Sequence, residues 1–77
     1  MATVEKLTRK SINSKRKHPE VDCTYDIIEL ENGTKILQLD TYGSSTRVMP
    51  GKVSQSLRLS KSALKKIVKI ALDNDLL

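Results

Sequence analysis

The run Arg47-Val48-Met49-Pro50-Gly51-Lys52-Val53-Ser54-Gln55-Ser56-Leu57-Arg58-Leu59-Ser60 passes without a break into Lys61-Ser62-Ala63-Leu64-Lys65-Lys66-Ile67-Val68-Lys69-Ile70-Ala71-Leu72. Pro50 stands where a type II turn fixes φ, and Gly51 where it needs φ above zero. Behind this turn Val53, Gln55, Leu57 and Leu59 alternate with Ser54, Ser56 and Arg58. That period of two predicts a strand over Val53 to Leu59 with an apolar face and a hydroxyl-plus-cation face. Ser60 is suited to cap a helix, because its hydroxyl can accept an orphan N–H of the first turn. The helix is predicted over about Lys61 to Asn74, with Leu64, Ile67, Val68, Ala71 and Leu72 on one face. Ile70 widens that stripe. A wide stripe fits contact with both its own sheet and a second subunit, or a helix sunk deep in its own sheet.

Upstream, residues 23–30 carry β-branched and aromatic residues (Thr24, Tyr25, Ile27, Ile28) and read as a strand. Ile27 and Ile28 are adjacent, so both faces are expected to be partly covered. Glu31-Asn32-Gly33-Thr34 reads as a hairpin turn, with Asn-Gly favouring positive φ at both central positions. Residues 35–42 form the return strand, with Leu37 and Leu39 on one side and Ile36, Gln38 and Asp40 on the other. Gly43 to Thr46 is a loop by composition, and Arg47, Val48 and Met49 are candidates for a short strand. The order predicts an α+β fold: an antiparallel β-sheet of about four strands followed by one C-terminal α-helix that covers one sheet face. The other face stays open and carries Ser54, Ser56 and Arg58.

The chain has 77 residues, one cysteine (Cys23) and one histidine (His18). That allows one small domain without an intrachain disulfide or a His/Cys metal cage. Such a small core stabilises a monomer only marginally, so a homodimer is expected. No apolar run approaches a membrane span, and no signal-peptide core is seen at the N-terminus. A lone thiol then fits a reducing compartment, cytoplasmic or nucleoid-associated. Cys23 reads as a half-buried strand residue and His18 as a solvated one.

Charge is segregated. Residues 1–19 carry +5, residues 20–46 carry −5 and residues 47–77 carry +5. Residues 1–22 are expected to form a basic mobile arm, with a short added strand or helix as the other reading; residues 23–77 form the folded domain. Two cationic blocks can build a positive surface for a polyanion. No nucleophile stands beside a base, and Gly51-Lys52 lacks the glycine spacing of a phosphate loop. The chain is therefore read as non-enzymatic, without cofactor, small-molecule substrate or membrane partner. Single strands are held by a cationic track plus aromatic platforms. The cations are present, but the aromatics are only Tyr25 and Tyr42. Tyr42 reads either as a stacking platform or as a strand-end residue packed at the sheet edge. Backbone contacts should dominate, with weak sequence preference.

A hairpin, a strand ending at Tyr42, a loop followed by Met49-Pro50-Gly51-Lys52, a Ser56-Leu57-Arg58-Leu59 strand and a Ser60-capped helix resemble the PC4-type transcriptional coactivator domain. This is also called the ssDNA-binding transcriptional regulator fold. The resemblance covers about residues 23–72, and short bacterial or phage-like members are nearest in length. It implies a homodimer formed through the helix and sheet edges, with Leu64, Ile67, Val68, Ile70 and Ala71 at the interface. It also implies curved β-ribbons presented to single-stranded DNA in transcription, replication or repair. On that likeness Lys35, Arg47, Lys52 and Arg58 follow the nucleic-acid backbone, Ser54 and Ser56 add donors, and Tyr42 lies near the aromatic strand end. Lys15, Arg16 and Lys17 fit the family's basic arm. Two further readings are a binder of duplex DNA or structured RNA, and a regulatory subunit that binds protein.

Overall fold

The structure, a computed structural model, describes residues 1–43 and 52–77. The short strand expected over Arg47, Val48 and Met49 and the Pro50-Gly51 turn lie outside the described residues. The elements are β1 (Ala2–Val4), β2 (Cys23–Glu29), β3 (Lys35–Tyr42), β4 (Val53–Leu59) and α1 (Lys61–Asp73). Three strands and the helix fall within a residue of the bounds that periodicity assigns them.

The sheet order is β1-β4-β3-β2. β2 pairs antiparallel with β3 and β3 antiparallel with β4, but β1 runs parallel to β4. The sheet is therefore mixed, which corrects the fully antiparallel expectation. Ala2–Val4 joins the outer edge of β4, which would otherwise offer unpaired N–H and C=O groups. Ser60 N–H donates to the Val4 carbonyl at 3.1 Å, and Ser62 Oγ donates to the Glu5 carbonyl at 3.2 Å, so the chain start is tied to the helix start. Residues 5–22 carry no regular secondary structure.

The hairpin also differs from expectation. Gly33 has φ 84, but Asn32 does not share the positive φ of a two-residue turn. Gly33 N–H donates to the Leu30 carbonyl at 2.9 Å and Leu30 N–H to the Thr34 carbonyl at 2.8 Å. Three residues thus close the loop, with glycine in the left-handed position after an ordinary turn. Asn32 Oδ1 accepts from Thr34 N–H at 3.0 Å, so its side chain is used within the loop.

α1 opens on Ser60, whose Oγ accepts from Ala63 N–H at 3.2 Å. Its first turn meets the end of the sheet, where Lys61 and Leu64 line one depression with Ile27, Ile36 and Leu37. Beyond that turn only Ala71 is half-buried and the rest of α1 is exposed, so the helix does not bury its apolar stripe on a sheet face as expected. A wide apolar stripe can be served by a second surface as well as by its own sheet, and here its own sheet takes only the first turn. Buried apolar side chains among the described residues are Ile36, Leu59 and Ala63. Ile67, Val68, Ile70 and Leu72 on α1 are exposed, as are Tyr25, Ile27 and Leu57 on the sheet. Among the described residues no helix is long and apolar enough to cross a membrane.

Candidate nucleic-acid interface

Strand pairing sorts the side chains into two faces, because directly opposed residues point the same way. One face carries Leu57 opposite Leu39 and Tyr25, and Leu59 opposite Leu37 and Ile27. The other carries Arg58 opposite Gln38 and Asp26, and Ser56 opposite Asp40 and Thr24. β1 adds Thr3 beside Arg58. The polar face has the residues that alternation assigned to it.

Those side chains form one hydrogen-bonded chain. Arg58 Nε donates to Gln38 Oε1 at 3.0 Å. Gln38 Nε2 donates to Asp40 at 3.1 Å to Oδ1 and 3.3 Å to Oδ2. Ser56 Oγ donates to Asp40 Oδ1 at 2.7 Å. All four side chains are half-buried, which favours a satisfied network. Beside it the Tyr42 hydroxyl and Thr24 Oγ1 are 3.0 Å apart. Sequence reading placed Ser56 and Arg58 here but gave Gln38 and Asp40 no role. The signal was present: both share a face of β3 opposite that serine and arginine.

At the helix end the polar face opens into a cleft. Arg58, Lys61 and Lys65 line it with Thr3, Asn32 and Ser62, and Glu5 stands on its wall. Among the described residues the only ion pairs are Lys17–Glu20 at 3.4 Å and Lys69–Asp73 at 2.9 Å, so none of the three cleft cations faces a carboxylate within bonding range. The first-turn N–H groups of α1 add partial positive charge at the same end. Sequence analysis gave Lys61 and Lys65 no binding role. Their spacing of four, directly behind the Arg58 strand, was the available signal.

The other candidates are dispersed. Ser54 and Lys52 are exposed at the start of β4, at the end of the polar face away from the cleft. Lys35 pairs across from Glu29 and shares the face of Leu37, so it does not join Arg58. Lys15, Arg16 and Lys17 are exposed in the segment without regular structure. Lys17 pairs with Glu20 with both side chains over four-fifths exposed, a contact of little energy. Arg47 lies outside the described residues. Leu64 and Ala71 are half-buried on α1, while Ile67, Val68 and Ile70 are exposed. Among the described residues no three His, Cys, Asp or Glu side chains come together as a metal site. No protein-family model, no curated protein and no solved structure matches this chain.

Proposed function

We propose that the chain is a homodimeric, non-enzymatic protein of the PC4-like kind that binds single-stranded nucleic acid, DNA or RNA, in transcription regulation, replication or repair. The observation that carries this reading is the cleft of Arg58, Lys61 and Lys65 opening onto a hydrogen-bonding sheet face. Three cations without carboxylate partners among the described residues, set with hydroxyl and amide donors, suit a phosphodiester oxygen better than a neutral ligand. A polar sheet face beside the cleft gives unpaired bases hydrogen-bonding groups that a closed duplex cannot use. Phosphate contacts supply most of the affinity, so preference among sequences is weak overall.

Fluorescence anisotropy with labelled single-stranded DNA, duplex DNA and RNA in competition tests the proposal. Single strands should win, with a log–log salt slope of roughly −0.7 per phosphate contacted. The Lys61→Ala, Lys65→Ala double variant should weaken binding and flatten that slope by about 1 to 1.5 while leaving the melting curve near that of the parent. An unchanged slope removes the cleft from the interface. Absence of binding at low salt sinks the proposal. Preference for the duplex would favour a shape-reading protein, and capture of protein partners insensitive to nuclease would favour a regulatory subunit.

A further inference from the structure

The polar sheet face contains a feature that a plain phosphate track does not need. Asp40 lies at its centre, two residues along β3 from Gln38, and a carboxylate there repels phosphate. Yet it is held in place by Ser56 Oγ at 2.7 Å and Gln38 Nε2 at 3.1 Å. The chain of bonds also fixes Gln38: its oxygen is turned to Arg58 and its nitrogen to Asp40. Arg58 is gripped through Nε, and its two terminal nitrogens make no hydrogen bond among the described residues. The result is an oriented guanidinium edge and an oriented carboxylate on one open face, diagonal neighbours at roughly 7–8 Å between backbones.

We propose that this quartet is a nucleobase-reading site, selective for guanine, lying next to the phosphate cleft. Guanine presents two adjacent acceptors, O6 and N7, that a guanidinium meets with two parallel donors. It also presents two adjacent donors, N1–H and the 2-amino group, that a carboxylate accepts together. Thymine has one N–H donor on that edge, and cytosine and adenine place an acceptor where guanine has its imino proton. Only guanine satisfies Arg58 and Asp40 at once, and a neutral base escapes the repulsion that Asp40 imposes on phosphate. Tyr42, its hydroxyl set 3.0 Å from Thr24 Oγ1 beside Asp40, offers its ring for stacking. Gln38 and Ser56 are positioning residues that hold the two reading groups.

This inference rests on the single-strand reading, and its test separates the two. Anisotropy is measured for a labelled oligo-dT strand and for the same strand with one central dG, dA, dC or deoxyinosine. The dG strand should bind about five-fold or more tightly than oligo-dT. Deoxyinosine, which lacks the 2-amino group but keeps O6, N7 and N1–H, should lose part of that gain and fall between dG and dT. Asp40→Asn should abolish the guanine preference, read as the ratio of dG-strand to oligo-dT affinity in the same variant. Ser56→Ala, which only frees Asp40, should reduce the preference. The unmodified protein with the inosine strand keeps the test valid should a variant fail to fold. Equal binding of dG and oligo-dT strands overturns the base site and leaves the single-strand reading standing. Failure of every strand to bind overturns both.

Discussion

Asp75 has φ 57, left-handed backbone on a residue with a side chain, and it ends the helix. Behind it Leu76 N–H donates to the Ala71 carbonyl at 2.8 Å, the six-to-one bond of a left-handed helix terminus. Asn74 adds two bonds to the Ile70 carbonyl, from its backbone N–H at 3.1 Å and from Nδ2 at 2.9 Å. The geometry suits glycine, and a carboxylate near the negative end of the helix dipole adds a small penalty. Asp75→Gly should therefore raise stability by about 1 kcal/mol, read as a higher urea midpoint at unchanged slope. This terminus was only half legible in the sequence. Asn74 marks a helix end by residue type, but which of Asn74 and Asp75 takes the left-handed position depends on the last carbonyls. By contrast Gly33 was legible, since Asn-Gly between two apolar runs demands a turn with positive φ at the glycine. What Asn-Gly does not reveal is how many residues the loop spans, because a type I turn followed by a left-handed glycine uses the same dipeptide.

That one-residue ambiguity matters at the scale of elements. A two-residue loop would set Glu31 against Thr34 and place Tyr25 opposite Asp40. The observed loop sets Glu29 against Lys35 and places Thr24 there. The polar face therefore receives a hydroxyl, and Tyr25 goes to the apolar side. Strands β3 and β4 and the helix were legible because seven or more residues repeat one period. β1 entered only as the alternative to a mobile arm, because three residues cannot establish a period and its pairing depends on an edge far along the chain. The joint between these elements is Ser60, buried at 7% exposure, which caps α1 through Oγ and binds β1 through its N–H. Ser60→Ala removes the cap and leaves the backbone bond. It should cost about 1 kcal/mol, seen as a lower midpoint in thermal circular dichroism. A loss well below half of that would mean that Ser62 Oγ, 3.1 Å from Ser60 Oγ, takes over the cap.

The protomer exposes more surface than a compact chain of its size. A compact monomer of 8.6 kDa exposes about 4,700 Å², whereas this protomer exposes 7064 Å². Its radius of gyration is 14.8 Å, against about 11–12 Å for a compact chain of its length. Residues 5–22 contribute part of the excess. The rest includes the outer stripe of α1 and the Tyr25, Ile27 and Leu57 side of the sheet, which are apolar. With Ile36, Leu59 and Ala63 as the buried apolar residues described, hydrophobic burial within one protomer is small beside the entropy of ordering the chain. The proposed homodimer would bring a second copy of the same two surfaces, and a twofold pairing would cover them without another protein. Sedimentation equilibrium should give about 17 kDa, twice the chain mass of 8.6 kDa. The melting temperature should rise with protein concentration, since association is coupled to folding. Val68 makes the sharpest test because it is 51% exposed in the protomer. In a monomer Val68→Glu would be nearly neutral, within about 0.5 kcal/mol, as for other surface changes. In the dimer it buries an unpaired carboxylate, so it should dissociate the protein and lower its melting temperature sharply. A Val68→Glu protein that melts with its parent and sediments at the same mass would remove the α1 stripe from the interface.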